Sequence, residues 1–397
     1  MVPEGWIATQ VGDIAEFTSG GTPSKQNADF WGGVKPWFSG KDLKTHYLEN
    51  SIDTLTEEGF KVAKKAPQGA SLILVRGMTL LKDFPVGYAT REVAFNQDLK
   101  ALIPHENIDG LFLSFLLVAE KNKIRQLVST AGHGTGRLDT ESIQAYPINL
   151  PPLHEQKKIA QILSTWDKAI TTTEQLLANS QQQKKALMQQ LLTGKKRLLD
   201  ESGVKFNVEW KTYYLSDLAK IVMGSSPKSD AYNETGLGLP LLQGNADIKK
   251  RRSAPRIHTS EITKECKVGD ILLSVRAPVG TVAISNHHAC IGRGIAAISA
   301  KNGFDQDFIY QWLLWFEAMW CSFSQGSTFE SVNSNDIKKI KIKSPEYMEQ
   351  QKIASVLSAA DDEKNALQQK LAHLNQEKKA LMQQLLTGKR RVKVTTA

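Results

Sequence analysis

The amino-acid sequence predicts two globular domains of the α/β (α+β) class, separated by two long helices that pair as an antiparallel coiled coil. Three observations lead to this fold: two nearly identical helical segments, boundary residues at both ends of each, and weaker landmarks shared by the stretches between them. The order is an internal repeat with pseudo-twofold character. We expect the first domain at 1–150, the first helix at 151–197, the second domain at 198–343, and the second helix with a basic tail at 344–397.

The helical segments are copies of one structural unit. Residues 155–197 and 349–391 align without a gap and share 25 of 43 residues. A mostly apolar heptad seam runs along each copy, and neither helical run contains Gly or Pro, which is typical of an exposed helix with one apolar stripe. Polar seam residues such as Lys184 and Lys378 are expected to fix the register of the pairing. At 1.5 Å per residue, each helix would be about 55 Å long.

The ends of both helices are marked in the sequence. Pro151 and Pro152 precede the first helix and Pro345 precedes the second, where a missing N–H donor is tolerated. Each helix then runs into a Thr-Gly-Lys triplet, whose Gly194 or Gly388 suits the left-handed residue that ends a helix. The basic residues that follow complement the negative end of the helix dipole, and we prefer this capping role to DNA binding.

The two globular stretches repeat each other more weakly. A loop of Gly, Ser and Pro at Ser19–Lys25 corresponds to Gly224–Lys228, and a buried-strand pattern ends at Arg76 in one stretch and at Arg276 in the other. Short β-branched runs alternate irregularly with amphipathic helices, which favours a mixed α/β or α+β domain over a doubly wound sheet.

Composition favours a polyanionic partner. The 397 residues contain 50 Lys and Arg against 41 Asp and Glu, a formal charge of +9. Cys266, Cys290 and Cys321 show no CxxC spacing, so neither a disulfide framework nor a zinc site is indicated. No signal peptide or bilayer-length apolar run is apparent, and we expect a cytoplasmic protein without a membrane partner.

With this order of domains, the motif PPLHEQKKIAQIL at Pro151–Leu163 and the duplicated MQQLLTGK resemble the specificity subunits of Type I restriction-modification systems, over essentially the whole chain. The resemblance implies two target-recognition domains, each reading one half of an asymmetric, bipartite site in double-stranded DNA. It also implies that two methyltransferase subunits dock on the coiled coil and that restriction/translocase subunits complete the complex. An adaptor of a fused methyltransferase-nuclease is the alternative.

The sequence disfavours the hypothesis that the chain is a self-sufficient nuclease or methyltransferase. We therefore expect a subunit with no catalytic residues, cofactor or metal of its own. Asn149–Leu153 lacks the aromatic residue and the spacing of a methyltransferase motif, and Gly194-Lys195 lacks the earlier Gly and the hydroxyl of a P-loop. Gly132–Gly136 could cradle a phosphate through backbone N–H groups or form a plain loop, and the sequence favours neither.

The candidate binding residues fall into three sets. Phosphate contacts are expected from basic residues in the second domain, Lys249, Lys250, Arg251, Arg252, Arg256 and Arg276, and in the first domain, Lys25, Lys41, Lys44, Arg76, Lys82 and Arg137. Base contacts are expected from Asn96, Gln97, Gln243, Asn245 and Arg293. Partner contacts are expected on the outer faces of the helices, around Glu155, Gln156, Glu349 and Gln350. For any single member, an ordinary structural hydrogen bond is the alternative.

Overall fold

The computed structural model describes residues 2–131, 134–320 and 331–393, and the chain divides into two compact units. Unit 1 comprises 1–174 with 370–397, and unit 2 comprises 175–369. Each unit therefore contains one globular region and a portion of both long helices. Gly132 and His133 of the glycine-rich segment, and Cys321, lie outside the described residues.

Unit 1 is built on a five-stranded sheet of order β2-β11-β7-β9-β4, accompanied by a four-stranded sheet β5-β3-β10-β6 and two smaller sheets, β12-β13-β8 and β1-β14. Its helix α3 packs its apolar side chains against the sheet of β7 and β11 in one hydrophobic core. The elements are β1 (Ile7–Gln10), α1 (Val11–Ile14), β2 (Ala15–Ser19), β3 (Trp31–Phe38), β4 (Tyr47–Leu48), β5 (Asp53–Leu55), α2 (Glu57–Val62), β6 (Lys65–Ala66), β7 (Ser71–Leu74), β8 (Arg76–Gly77), β9 (Val86–Ala89), β10 (Val93–Phe95), β11 (Leu99–Pro104), α3 (Gly110–Ile124), β12 (Ser129–Ala131), β13 (Thr135–Arg137), α4 (Thr140–Gln144) and β14 (Pro147–Leu150).

Unit 2 repeats this topology. A six-stranded sheet of order β16-β26-β23-β24-β20-β19 corresponds to the five-stranded sheet of unit 1, and a second sheet, β17-β21-β18-β25-β22, contains a parallel pair, β18 and β25, equivalent to β3 and β10. The elements are β15 (Lys211–Tyr214), α6 (Leu215–Leu218), β16 (Ala219–Met223), β17 (Tyr232–Asn233), β18 (Leu239–Leu242), β19 (Ile248–Lys249), β20 (Arg252–Ser253), β21 (Ile257–Thr259), β22 (Glu265–Cys266), β23 (Ile271–Ser274), β24 (Val282–Ile284), β25 (Ala289–Ile291), β26 (Ile295–Ala300), α7 (Gln306–Trp320), α8 (Ser334–Lys338) and β27 (Lys341–Ser344).

The two long helices, α5 (Leu153–Leu191) and α9 (Tyr347–Leu385), contain 39 residues each. In unit 1 the start of α5, with Ile159 and Leu163, is buried in one core with Leu385 at the end of α9. In unit 2 the start of α9, with Ile353, is buried in one core with Leu191 at the end of α5. Since the first turns of each helix meet the last turns of the other, the predicted antiparallel pairing is confirmed.

Polar seam residues form equivalent ion pairs in the two units. Lys184 donates a hydrogen bond of 2.6 Å to Asp361, and Lys378 donates to Asp167 at the corresponding position. Burial alone would raise the pKa of Asp361, but hydrogen bonds from Lys184, Lys364 and Gln311 outweigh it and hold that pKa below its usual value. A one-residue slip of the helices would separate these charges, which explains how the polar seam positions specify register.

Both predicted helix caps are left-handed, with φ of +73° at Gly194 and +69° at Gly388. A Cβ atom at Gly388 would lie 2.3 Å from the Pro3 ring, and one at Gly194 would lie 3.3 Å from Trp210. Glycine is therefore required for backbone conformation at both positions and for close packing at Gly388.

Candidate nucleic-acid interface

A cleft of about 140 Å³ in unit 1 brings together three of the predicted DNA-binding residues, Arg76, Gln97 and Arg137, with Lys100. These residues come from the ends of three different strand segments. Arg76 follows β7, Gln97 follows β10, and Arg137 ends β13. Arg76 and Arg137 are directly opposite each other in the antiparallel pair of β8 and β13.

In unit 2, a larger open cleft of about 660 Å³ is lined by Arg276 and Arg293, the counterparts of Arg76 and Gln97. It joins the predicted Gln243, Arg276 and Arg293 with Lys228 and Tyr232, which were not among the predicted site residues. Lys228 belongs to the loop that repeats the Lys25 loop of unit 1, so the internal repeat carried a signal for it.

A glycine follows β2 and β16 beside each cleft. A Cβ atom at Gly20 would lie 2.2 Å from the carbonyl oxygen of Asn96, and one at Gly224 would lie 2.1 Å from that of Gly292. Only glycine lets the loop approach so closely to the turn that carries Gln97 in unit 1 and Arg293 in unit 2.

In unit 1 this loop is held by side chains. The indole N–H groups of Trp31 and Trp37 donate to the carbonyl oxygens of Ser24 and Gly21, each at 3.1 Å. The hydroxyl of Thr22 donates to the amide oxygen of Gln97 at 2.7 Å. Three hydrogen bonds therefore fix the loop against the cleft.

The cleft arginines form no ion pair with the residues that the structure describes. Arg76, Arg137, Arg276 and Arg293 are exposed, and among residues 2–131, 134–320 and 331–393 no carboxylate lies within 4.0 Å of their guanidinium nitrogens. Like charges directly opposite in a β-ladder destabilise it, so the Arg76–Arg137 pair would be stabilised by an anion.

Other predicted basic residues differ in their surroundings. Lys41 pairs with Asp53 and Arg256 with Asp247, both at 2.8 Å, while Arg251 pairs with Glu317. The exposed Lys25, Lys44 and Lys82 have no such carboxylate partner in the part of the chain that the structure describes.

Lys249–Arg252 forms the tip of a β-hairpin, which we call the basic hairpin. Its two central residues, Lys250 and Arg251, have φ of 48° and 63°, as a two-residue hairpin with matching right-handed twist requires. The hydrogen bond to Glu317 raises the pKa of the Arg251 guanidinium, which also donates to the Val282 carbonyl at 3.0 Å. Lys249, Lys250 and Arg252 remain exposed, without an ion pair to the described residues.

The corresponding stretch of unit 1, Lys44–Tyr47, is less basic. His46 stacks on Phe115 with ring centroids 4.7 Å apart, and burial lowers the pKa of His46 to about 4. The hydroxyl of Tyr47 donates to Asp167 of α5 at 3.2 Å. The Lys44–Tyr47 stretch of unit 1 is therefore hydrogen-bonded to α5.

Asn96 requires a correction. Its side chain is buried, donates to the Asp98 carboxylate at 3.0 Å and accepts from the Asp98 backbone N–H at 3.2 Å. These bonds shape the turn, so Asn96 is a structural residue rather than an exposed base reader. Asn245 begins a short 3-10 turn and does not line the unit 2 cleft.

The predicted position of the partner-binding residues is wrong. Glu155, Gln156, Glu349 and Gln350 are all 5% exposed or less, because the globular regions cover this side of the helices. Glu349 accepts two hydrogen bonds of 2.6 Å from Arg197 and one of 3.3 Å from Trp210.

Glu155 has equivalent partners in unit 1, Arg391 and Trp6. The two glutamines accept from the backbone N–H groups that precede α3 and α7, from Asp109 at 2.9 Å for Gln156 and from Asp305 at 2.8 Å for Gln350. All four side chains thus fasten a globular region to a helix.

A different set of helix residues is exposed and identical in both copies. The last two turns of α5 and α9 present the same four side chains to solvent, within an unbroken stretch of identity. Nearer the middle, exposed positions are identical in some places, such as Gln175 and Gln369, and differ in others, such as Lys168 and Asp362. In these last turns, the exposed identical residues are Lys185, Ala186, Gln189 and Gln190 in α5, and Lys379, Ala380, Gln383 and Gln384 in α9.

Among the described residues, no helix is long and apolar enough to cross a bilayer. Within the same residues, no group of three or more His, Cys, Asp or Glu side chains is arranged to hold a metal ion.

Each of the two units has the same α/β topology, a basic cleft and segments of both antiparallel helices. This duplicated arrangement is typical of a DNA-binding protein with two similar domains. A family model described as the Type I restriction modification DNA specificity domain matches residues 3–179 and 207–376. The chain belongs to this family of specificity subunits, and the resemblance predicted from the sequence is confirmed.

Individual proteins agree with this assignment. The chain is 30% identical, over 99% of its length and 95% of the relative, to the putative type I restriction enzyme MjaX specificity subunit of Methanocaldococcus jannaschii. It is 32% identical, over 40% of each chain, to the EcoR124I/EcoR124II specificity subunit of Escherichia coli. The crystal structure of a Type I S subunit from M. genitalium has the same fold, with a TM-score of 0.66 at 14% identity over 97% of this chain and 99% of that one.

Proposed function

We propose that this protein reads a bipartite, asymmetric site in double-stranded DNA for a Type I restriction-modification complex, with one half-site read by each unit. The observation that carries the proposal is a cleft in each unit at the equivalent positions 76/276 and 97/293, with two exposed guanidinium groups that have no carboxylate partner in the described chain. Phosphate groups and the edge of guanine are the natural partners of such arginines in DNA. The exposed lysines and the basic hairpin would extend the phosphate contacts.

Two methyltransferase subunits would dock on the helix pair, and restriction/translocase subunits would join the same complex. The exposed residues that are identical in both helices support this part of the proposal. Residues 184–191 and 378–385 are identical without a break, and this stretch includes exposed side chains such as Lys185 and Lys379. Unbroken identity that extends to exposed positions favours two contacts with the same partner. The chain itself would be non-catalytic and act in the cytoplasm, with 1–150 and 198–343 as target-recognition domains and 151–197 and 344–397 as spacers.

Co-expression with the partner methyltransferase, followed by mapping of methylated adenines, tests the function. We expect two short specific sequences separated by a non-specific gap. A continuous palindromic motif would contradict two independent readers. Methylation or cleavage by the purified chain alone, with DNA, methyl donor and Mg²⁺, would instead support the enzyme alternative.

Native mass spectrometry of the complex tests the docking surface. Lys185→Glu with Gln189→Ala should reduce the methyltransferase content from two subunits to one, and the same changes at Lys379 and Gln383 should remove the other. Lys168→Glu is the matched control, since it reverses an exposed charge on α5 that is not shared by α9. Unchanged stoichiometry in both variants would place docking elsewhere.

A further inference from the structure

The two clefts contain one position that is the same in both units and one that differs. Arg76 and Arg276 each follow a central strand of the main sheet of their unit. Each pairs with a residue that precedes a short helix, Arg76 with Arg137 and Arg276 with Ser331. Gln97 and Arg293 each follow the strand of the parallel pair, at the turn pressed against Gly20 or Gly224. Position 76/276 is therefore arginine twice, whereas position 97/293 is an amide in unit 1 and a guanidinium in unit 2.

We infer that Gln97 and Arg293 are the equivalent base-reading residues of the two units, with Gln97 recognising adenine and Arg293 recognising guanine, while Arg76 and Arg276 contact phosphate. This inference rests on the proposed function. The DNA backbone is the same in every half-site, so a residue that contacts it can be the same in both units. Residues that read different bases must differ, so a difference at an otherwise equivalent position is the pattern expected of a base-reading residue.

The surroundings of Gln97 suit this role. Its side chain is exposed in the cleft, and the Thr22 hydroxyl donates to its amide oxygen at 2.7 Å, which restricts the side chain before DNA binds. An amide oxygen can accept two hydrogen bonds, so it remains able to accept from adenine N6 while the amide nitrogen donates to adenine N7. Thr22 is a positioning residue in this arrangement.

Arg293 occupies the same place with different chemistry. Its guanidinium is exposed at the edge of the unit 2 cleft, and its backbone N–H donates to the Ser226 hydroxyl at 3.3 Å, from the loop equivalent to that of Thr22. A free guanidinium can donate two parallel hydrogen bonds to O6 and N7 of guanine. The same scaffold thus presents an adenine reader in one unit and a guanine reader in the other.

Competition binding with the complete methyltransferase complex tests this assignment, using duplexes in which each base pair of the mapped site is changed in turn. Gln97→Arg should convert one adenine position of a single half-site to guanine, and Arg293→Gln should do the converse in the other half-site. The wild-type preference of about 5- to 150-fold at each position is expected to be lost or reversed. Gln68→Arg is the charge control, because it adds the same charge in unit 1 at the opposite end of β7.

If a swapped complex binds poorly, Gln97→Ala and Arg293→Ala decide the outcome. Loss of discrimination at one base position supports the inference, and an equal fall for all duplexes overturns it. Arg76→Gln should weaken binding to every sequence and reduce the salt slope by about one. Variants at 97 and 293 that keep the wild-type preference would overturn the inference alone, whereas a wild-type complex without a bipartite motif would overturn the proposed function itself.

Discussion

Replacing Glu349 with glutamine should destabilise unit 2 by about 3 kcal/mol. The Glu349 carboxylate is fully buried and accepts two hydrogen bonds of 2.6 Å from Arg197, whose side chain is 17% exposed. Removing one partner of a buried ion pair costs about 3–5 kcal/mol, because the remaining charge loses its compensation. Glutamine keeps one acceptor oxygen and Arg197 keeps some contact with water, so the lower end of that range applies.

Hydrogen exchange of the full chain measures this effect locally. Peptides from 341–357, which contain Glu349, and from 211–223, which share the unit 2 core with the start of α9, should lose protection by on the order of 100-fold. Peptides from β7 and β11 in unit 1 should be unchanged. Glu363→Gln is the matched control, since it makes the same chemical change at an exposed position of the same helix.

A double-mutant cycle with Arg197→Gln separates this pair from other effects. The double variant should lose less unfolding free energy than the sum of the two single variants, with a coupling energy above about 1 kcal/mol. If Glu349→Gln behaves like Glu363→Gln in exchange and instead weakens methyltransferase binding, the buried-pair reasoning is wrong and Glu349 is a docking residue.

Three further predictions concern DNA contact, spacing and pH. Alanine at the three basic-hairpin residues without an ion pair in the described chain should weaken binding to all DNA sequences and reduce the salt slope by about two to three, and an unchanged slope would make the hairpin a merely solvated surface. One heptad inserted after Gln183 and after Glu377 adds about 10 Å to each helix and should lengthen the methylation motif's gap by up to about three base pairs, whereas an active complex with the original gap would show that the helices do not set it. Between pH 7 and pH 4, His46 should contribute a loss of about 3 kcal/mol in unfolding free energy, because its pKa is about 4 in the folded chain and 6.5 in the unfolded chain, so the unfolded state binds the proton more readily. In urea unfolding, the His46→Gln variant should lose less unfolding free energy between pH 7 and pH 4 than the wild type. An equal loss in both proteins would show that His46 does not cause the pH dependence.

The repeated helices could be read from the sequence because their signals are local. A seam of period 3.5, the absence of Gly and Pro, and a glycine at each cap depend on residues a few positions apart. The order of the repeat then identified the family. The weaker repeat of the globular stretches also indicated that Arg76 and Arg276 stand at equivalent strand ends.

The roles of the helix carboxylates and amides depended on tertiary structure. From the sequence, we expect the polar residues Glu155 and Gln156 on the outer face of the helix, but a globular region covers that side. Their partners are distant in sequence, as with Arg391, which is 236 residues from Glu155. Helical periodicity reports which face is apolar and carries no information about a polar face that a neighbouring domain buries.

The sequence by itself determined the duplicated architecture, the long helices with their caps and polar seam, and a basic chain suited to DNA. Only the tertiary structure decided which basic residues keep unpaired charges, since Arg251 and Arg76 look alike in sequence but only Arg251 meets a described carboxylate, that of Glu317. It also brought Gln97 beside Arg76 and Arg137 and removed Asn96 from the exposed surface. Charge pairing and burial arise from contacts between segments far apart in the chain, which local patterns do not encode.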